Sequence, residues 1–516
     1  MINMSTNIPP NPPFSKGRKE SKIRVRIAPS PTGRLHVGLA RAALFNYLFA
    51  KRYGGTFILR IEDTDIERSN KQYEKDIFEG LQWLGIDPDE SPEIGGPYAP
   101  YRQSERIDTY TKYTKQLLDE GNAFYCFHSE KETDEEIKKL IEAKKPALHL
   151  CEYRTMGREE AELLTDAKQG YIIRFKTPVG RTVEFHDLVR GKLRMRSGLL
   201  GDFSIAKRVD VPLYNFAVVV DDATMQISHV IRGEDHIANT PKQILLNEAL
   251  GFRQPQFAHL PLILGPDRSK LSKRHGVTSV NDYKEMGYLP EALFNFLALL
   301  GWSSEDSREI LSREELIKQF SLERVQKSGA VFDLIKLDWM NGEYIRQKSV
   351  SELTKLCMPF LDKAGLVATE SGKPFFAKAT KGKRKAERER IEKIIKLEQP
   401  RLKKLSEIGE MVDYFFKEPE YDKELLRWKK MSDDKIIESI DVSITLLQEH
   451  SKKGIGETEK LFLEEAVKRG DRGKLFWPLR AALTGKKASP GPFEVMEILG
   501  IEESIKRLEL AKQKLG

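Results

Sequence analysis

Apolar residues change their spacing along the first part of the chain. Ile23 to Ser30, IRVRIAPS, is a short run that ends in turn-forming residues and predicts a strand. From Val37 the spacing lengthens: Val37, Ala40, Leu44, Tyr47 and Leu48 fall on one helix face, and Gly54-Gly55 stops that helix. Thr56 to Asp65, TFILRIEDTD, predicts a second strand running into acidic residues, followed by a helix ending near Leu84-Gly85. Strand, helix, strand, helix with short links predicts an α/β fold, a parallel sheet covered by helices. Between Phe124 and about Lys207 the pattern is less regular. One helix (Asp134 to Lys144) stands among short strands such as YIIRFKTP and TVEFHDLVRGKLRMRS, which predicts an inserted α+β domain. The parallel pattern resumes with the strands YNFAVVVDD and MQISHVIRG, a helix from Thr240 to Leu250, and FAHLPLILG. From about Asp282 onward the periodicity is mostly helical, as in PEALFNFLALLGW and ITLLQEHSKK, and no long repeat is present.

Composition narrows the class. A length of 516 residues predicts several domains, and 40% hydrophobic with 32% charged residues suits a folded globule. No run of about 18 apolar residues occurs, so no segment is predicted to span a bilayer. Met1 to Glu20 has no apolar stretch and is rich in Pro, Asn and Ser, which predicts a disordered tail rather than a secretory signal. Lys plus Arg exceed Asp plus Glu by 86 to 78, a net charge of +8; this is compatible with a polyanionic partner but does not require one. The charged run KGKRKAERERIEKIIK, Lys381 to Lys396, is either a solvated helix face or an RNA contact. Cys126, Cys151 and Cys357 are too few for a disulfide framework, which fits a reducing cytoplasm.

Two stretches concentrate chemistry. RIAPSPTGRLHVG, Arg26 to Gly38, ends a strand at Ser30, turns through Pro31-Thr32-Gly33 and enters a helix at His36-Val37-Gly38. A helix N-terminus favours anions through its free N–H groups. Gly38 lets a flat group such as a purine lie against the backbone, and His36 can donate to a phosphate oxygen. A lone histidine is usually structural and Pro-Thr-Gly usually a turn. The signal is their combination at the carboxyl end of a first strand, where open α/β sheets bind ligands. GPDRSKLSKRHG, Gly265 to Gly276, sets Arg268, Lys270, Lys273, Arg274 and His275 on a loop after an apolar strand. It is either a solvated loop or a clamp for nucleotide phosphates, to which flexible lysine charges are suited.

Together these stretches resemble a known family. His36-Val37-Gly38 is similar to the HIGH signature, and Lys270-Leu271-Ser272-Lys273-Arg274 to the KMSKS signature, of class I aminoacyl-tRNA synthetases. RIAPSPTGRLHVG, GGTFILRIEDTD, YNFAVVVDD, HVIRGEDH, KLSKRHG, FDLIKLDWMNGEYIR and PLRAALTG resemble bacterial glutamyl-tRNA synthetases in order and spacing, from Ile23 nearly to the C-terminus. Leu39 stands where the general signature has a second histidine, which glutamyl enzymes commonly lack. The resemblance implies a Rossmann-like catalytic domain (residues 22–103 and 208–266) after a tail (1–21). An inserted acceptor-end-binding domain (104–207), a KMSKS-loop and stem-contact domain (267–349) and an all-α anticodon-binding region (350–516) complete it. It further implies a monomeric, cytoplasmic glutamate–tRNA ligase, with no membrane partner, that joins L-glutamate to tRNA-Glu using ATP and Mg2+. Carried over by residue, His36, Lys270 and Lys273 act in catalysis and, with Gly38 and Asp235, bind ATP. Arg26, Ala28, Ser30, Glu62 and Tyr214 line the glutamate pocket, Glu62 facing the α-amino group and Arg232 taking the side-chain carboxylate. A forked guanidinium there pairs with a carboxylate and rejects glutamine's neutral amide. Glu62, Asp63 and Asp65 have a second reading as a helix N-cap cluster. Arg401, in EQPRLKKL, is either the reader of the last anticodon base or a plain surface arginine.

Three related classes fit less well. A glutaminyl enzyme opens with a PPEPNG-like motif and carries β-barrel anticodon domains, whereas this chain has APSPTG and a helical second half. A shortened paralogue that modifies a tRNA base ends soon after the core, whereas residues 277–516 follow Gly276. An inactive tRNA-binding relative has no need of His36, Lys270, Lys273, Arg26 and Arg232 together. Whether tRNA-Gln is also charged stays open.

Many bacterial relatives hold zinc in the inserted domain through a Cys-x-Cys pair and a later Tyr-x3-Cys pair. This chain departs, with Cys126-Phe127-His128, His149-Leu150-Cys151 and then Tyr153. The residue types and short spacings suit a tetrahedral Cys2His2 site. Thr133 with Glu136 predicts a capping box opening a helix to about Lys144. That helix is about 18 Å long, and an extended link from Lys145 to His149 returns about 16 Å, so the two pairs can meet. The other reading is that zinc has been lost, the four side chains are scattered, and Cys151 is a small buried hydrophobe.

Overall fold

The structure, a computed structural model, describes residues 22–65, 67–144, 148–149, 151–166, 170–367, 381–450 and 455–516. The tail expected over residues 1–21 lies outside them. The described residues form two compact units. One runs to Asn281 and resumes over Phe294–Asp333; the other is Asp282–Leu293 with Leu334–Gly516.

In the first unit β1 (Arg24–Ile27) leads into α1 (Val37–Arg52), then β2 (Thr56–Leu59) and α2 (Lys71–Leu84). β1 and β2 pair in parallel, from Arg24 against Thr56 to Ile27 against Leu59. Gly85 ends α2 in the left-handed conformation, φ 68°, that a side chain disfavours. Both strands are shorter than expected. Pro29 and Pro31 cannot donate to a ladder, and the acidic residues after β2 bind side chains elsewhere.

The inserted region comprises α3 (Ile107–Asp119), β3 (Ala123–Cys126), α4 (Glu130–Glu142), α5 (Arg158–Asp166), β4 (Ile172–Phe175), β5 (Thr182–Asp187), β6 (Gly191–Arg196), β7 (Ser204–Arg208) and β8 (Val211–Pro212). After it come α6 (Tyr214–Thr224), β9 (His229–Gly233), α7 (Thr240–Ala249), β10 (Gln256–Leu260) and β11 (Ile263–Leu264). Strands β3, β4, β7 and β8 form an antiparallel sheet of their own. The β5–β6 hairpin does not join it. It extends the parallel sheet in the order β6-β5-β10-β9, with Asp187 opposite Phe257. Ser228 ties that sheet to β1: its N–H donates to the Arg24 carbonyl at 2.9 Å, and its hydroxyl accepts from the Arg24 N–H at 2.8 Å.

YNFAVVVDD is helix α6, not the expected strand. Its valines favour strands, but Phe216 to Asp222 are all buried, and a helix buried on every side shows no amphipathic period to tell it from a strand. Helix α4 starts a turn early because its capping box is Ser129 with Glu132, not Thr133 with Glu136; the Thr133 hydroxyl donates back to the Ser129 carbonyl at 3.1 Å.

Helices make up the second unit, and among its described residues there is no strand. Leu334–Gln347, Val350–Lys363, Asp433–His450, Gly473–Thr484 and Ile501–Gln513 are among them, around a core that includes Leu353, Ile395, Leu479 and Leu508. The charged run from Lys381 lies in the helix Lys381–Glu398. No helix among the described residues is long and apolar enough to cross a membrane.

Candidate active site

A cleft of about 410 Å³ opens beyond β1 and β9, at the carboxyl ends of parallel strands where open α/β sheets take ligands. Arg26, Ala28, Ser30, His36, Gly38, Glu62, Tyr214, Arg232, Asp235 and Lys270, all expected from the sequence, line it. So do Arg41 and His236, which the sequence did not single out. Lys273 is not among the lining residues, and Arg401 belongs to the second unit.

His36 is the N-cap of α1, its Nδ1 accepting from the Gly38 N–H at 3.0 Å. Burial, together with the charges of Lys270 and Lys273, lowers its pKa, so the ring is neutral at pH 7. With Nδ1 accepting, the proton sits on Nε2, which remains a donor. A Cβ on Gly38 would come within 3.3 Å of Nδ1 and press on this cap. The basic loop is sewn to the same segment. The Val37 N–H donates to the Thr278 carbonyl and that of Val280 to the Leu35 carbonyl, both at 2.9 Å. Asp76 on α2 accepts from the Leu35 N–H and from the Asn281 amide, each at 2.7 Å. At the loop's other end the Leu271 N–H donates to the Ile263 carbonyl at 2.9 Å. Lys270 Nζ lies 3.3 Å from Asp235 Oδ2, and Lys270 and Lys273 are both exposed.

Around Arg26 and Glu62 lies a buried layer of charge. Arg26 grips Asp222 through two bonds of 3.0 Å. Arg60, wholly buried, donates to Asp222 at 2.7 Å and to Glu62 at 2.9 Å. Asp221 accepts from Arg106 at 2.7 Å, Gln103 at 2.8 Å and the Tyr110 hydroxyl at 3.0 Å. Neighbours on a helix point about 100° apart, so α6 turns Asp221 and Asp222 into one layer, where Arg60 lies against both while Asp221 also takes Arg106 and Asp222 also takes Arg26. A strand would send the two to opposite faces, and the strand assignment hid this layer from sequence reasoning. Burial pushes Glu62 up against the pull of Arg60. At Asp222 burial also pushes upward, but Arg26 and Arg60 outweigh it and hold the carboxyl below its ordinary value. Neither Asp63 nor Asp65 caps α2. Asp63 accepts from the Ser104 N–H at 2.8 Å and its hydroxyl at 2.6 Å, Asp65 pairs with Arg68, and the cap is Asn70.

Arg232 is buried on different terms. Its Nε donates to His259 Nε2 at 3.2 Å, and its Nη2 to Thr240 Oγ1 at 2.9 Å and Gln243 Oε1 at 2.8 Å. All three acceptors are neutral. Nη1 is buried with no hydrogen-bond partner among the described residues. Burial accordingly lowers the pKa of Arg232. The Tyr214 hydroxyl, on the same cleft, lies 3.0 Å from His236 Nδ1.

In the inserted region Cys126, His128, His149 and Cys151 meet rather than scatter, their ligand atoms all within 4.8 Å of one another. Cys126 Sγ lies 3.5 Å from His149 Nε2 and 3.6 Å from His128 Nδ1; Cys151 Sγ lies 3.7 Å from His128 Nδ1. A tetrahedral zinc ion, about 2.3 Å from sulfur and about 2.0 Å from nitrogen, separates such ligands by about 3.6 Å. Glu136 on α4 hydrogen-bonds the other ring nitrogen of His149, the outer support that metal-binding histidines usually have. The donor set therefore fits zinc. Residues 145–147 of the expected link, and Leu150, lie outside the described residues.

In the second unit Arg401 Nη1 donates to Glu398 at 2.8 Å, and the Tyr414 hydroxyl donates to the same buried carboxyl at 3.2 Å. Burial raises the Glu398 pKa and Arg401 opposes it.

Residues 22–339 match the family of class I tRNA synthetases (E and Q), catalytic domain, and residues 352–512 an anticodon binding domain. Over 497 residues, 95% of this chain and 99% of the relative, the sequence is 47% identical to glutamate–tRNA ligase 1 of Caldicellulosiruptor saccharolyticus. It is 46% identical to the glutamate–tRNA ligase of Carboxydothermus hydrogenoformans, over 94% of this chain and 99% of that one. A solved structure of a glutamate tRNA ligase from Elizabethkingia meningosepticum, in complex with its amino acid, matches with a TM-score of 0.84 at 36% identity, covering 96% of this chain and 100% of that one.

Proposed function

The chain belongs to the class I glutamate–tRNA ligases, and on that premise we propose how its cleft divides the substrates. L-Glutamate lies with its side-chain carboxylate on Arg232 and its α-amino group toward Glu62, beside Arg26, Ala28, Ser30 and Tyr214. ATP lies along His36 and Gly38, near Asp235, with its phosphates under Lys270 and Lys273. One observation carries this reading: Arg232 is a buried guanidinium in the cleft that no carboxylate of the described chain engages, with Nη1 left without a partner. A buried cation is costly unless paired, and the substrate supplies the missing anion.

The chemistry follows from charge. Glutamate's α-carboxylate is ionised at neutral pH and needs no general base. It attacks the α-phosphorus of ATP in line, the bond to the bridging oxygen breaks, and diphosphate leaves. Positioning and charge stabilisation are then the enzyme's task, with His36 Nε2–H, Lys270 and Lys273 donating where charge develops. Mg2+ bound to ATP neutralises phosphate charge. The 2′-hydroxyl of the tRNA's terminal adenosine attacks the carbonyl of the glutamyl adenylate, and AMP departs without a covalent enzyme intermediate.

Residues 22–103 and 208–266, with the β5–β6 hairpin, form the catalytic domain. The rest of 104–207 takes the acceptor end, 267–349 the stem, and 350–516 the anticodon, whose last base falls to Arg401. The enzyme acts as a cytoplasmic monomer. Zinc is held by Cys126, His128, His149 and Cys151 and braces the inserted sheet at β3. Protein purified without a histidine tag should contain about one equivalent of zinc; under a tenth of an equivalent excludes it. For the whole reading the test is ATP–diphosphate exchange with purified tRNA-Glu present. Exchange with glutamate and not glutamine is expected, and a folded chain that shows none overturns the assignment. Charging assays on tRNA-Glu and tRNA-Gln side by side decide whether the second tRNA is also a substrate.

A further inference from the structure

Arg232 is held by a chain of buried side chains that begins on the β5–β6 hairpin. Asp187 and His259 are both wholly buried. Asp187 Oδ2 lies 2.6 Å from His259 Nδ1, and His259 Nε2 lies 3.2 Å from the donating Nε of Arg232. Every group facing the Asp187 carboxylate is a donor: the backbone N–H of Val189 at 3.0 Å, of Arg190 at 2.7 Å and of His259 at 3.1 Å, and the imidazole. Burial pushes the Asp187 carboxyl up, but the His259 bond and these N–H groups hold it below its ordinary value. It is therefore an ionised acceptor, the His259 proton sits on Nδ1, and Nε2 offers Arg232 a lone pair. Burial first of all keeps the His259 ring neutral.

From this geometry we infer that Asp187 and His259 are positioning residues for amino-acid specificity, fixing the Arg232 fork while holding the nearest carboxylate on this side one imidazole away. The inference rests on the reading of Arg232 as the carboxylate site. A carboxylate placed directly against Arg232 would neutralise it and remove its preference for an anionic ligand. Hydrogen-bonding it only to His259, Thr240 and Gln243 orients the guanidinium without discharging it. The hairpin is thereby part of the amino-acid site, although it lies within the region whose remaining strands form a separate sheet.

Asp187→Asn tests this. An amide at 187 must turn its NH2 toward some donor, and of the four only the imidazole can adapt. His259 then takes its proton on Nε2, which can donate only to Thr240 Oγ1 at 3.1 Å and no longer accepts from Arg232 Nε–H. We expect the glutamate KM to rise about tenfold or more and discrimination against glutamine to fall, with the ATP KM unchanged and kcat at saturating glutamate within a few-fold. His259→Gln, whose amide can donate to Asp187 and accept from Arg232, should keep most of the discrimination, and His259→Leu should lose it. A purely structural role would instead move the ATP and glutamate constants together. Histidine 15N spectra of the unaltered chain, with His259 assigned through its own backbone resonances, give a readout that does not depend on a variant folding: an unprotonated Nε2 is expected, and a protonated one overturns the proposal. Arg232→Ala separates the two readings. If it leaves glutamate kinetics unchanged, the carboxylate site is wrong. If it abolishes discrimination while folded Asp187→Asn and His259→Leu discriminate normally, only the positioning inference fails.

Discussion

Replacing Arg60 by methionine removes a cation but keeps most of the buried volume. Asp222 keeps Arg26, and Asp221 keeps Arg106. Glu62 loses the side-chain donor that holds it. Stranding one buried carboxylate costs about 3–5 kcal/mol. In a unit of about 320 residues each kcal/mol moves Tm by about 1.5 °C, so a fall of about 4–8 °C is expected. Glu62 can recover part of this by taking up a proton, since burial already raises its pKa. In the variant the folded state binds that proton more readily than the unfolded chain does, so the deficit should shrink as pH falls from 7 toward 5. Arg232→Met is the control: equally buried, but bonded to neutral acceptors and stranding no carboxylate. Its stability loss should stay within about 1–2 kcal/mol. Its glutamate kcat/KM should fall instead, by about 10- to 10⁴-fold for one or two charge-assisted bonds of about 1.5–3 kcal/mol each. Circular dichroism melts at pH 7 and pH 5, with exchange kinetics on both variants, make the comparison. Unfolding of Arg60→Met at the wild-type temperature, or an equal loss of stability in Arg232→Met, would refute the distinction drawn between the two arginines.

Three further outcomes are expected. Lys273→Ala should fold normally, since Lys273 is exposed, yet form adenylate about 10²–10³ times more slowly; near-normal diphosphate exchange by the folded variant removes Lys273 from catalysis. Arg401→Gln should weaken the preference for tRNA-Glu over tRNA-Gln with little change in glutamate activation. Arg401→Lys serves as the control that keeps a charge beside buried Glu398, and unaltered charging of both tRNAs by Arg401→Gln places the reader elsewhere. Burial lowers the His229 pKa to about 4, so between pH 6.5 and 4 the unfolded chain takes a proton that the folded one refuses, and stability falls by about 3 kcal/mol across that window. His229→Gln should flatten that part of the stability–pH curve; superimposable curves show that His229 is not responsible.

What the residues disclosed by themselves was local. The HVG turn and the KLSKR loop were legible because turn residues, a helix start and clustered charge sit within one short stretch each. The meeting of Cys126, His128, His149 and Cys151 was only one of two open readings, since chain reach allowed it without requiring it. The interior ion pairs were not legible. Arg60 sits in an apolar strand context, and its aspartate partners lie on a helix about 160 residues away in sequence; nothing in either segment marks the other. The error over α6 had the same root, because a helix buried on every side shows no periodicity until its neighbours are known. Asp187 is the sharpest case. As one acid in a polar hairpin it is unremarked, and only the register of β5 on β10 brings it to His259.

The stitching of the basic loop has a consequence for how its lysines move. From Ser272 to Val277 the chain is tethered at both ends, by Leu271 to Ile263 and by Thr278 to Val37. A tether that short has few shapes to explore, and the entropy of closing it is lost when the chain folds rather than when nucleotide arrives. The segment behaves as a bridle and not as a free flap: its backbone travels a short arc while the lysines swing on their own torsions. Because one of its two pins is the first turn of α1, slackening the bridle by heat or mild denaturant also slackens the helix start that presents His36, and the two halves of the phosphate grip should loosen as one.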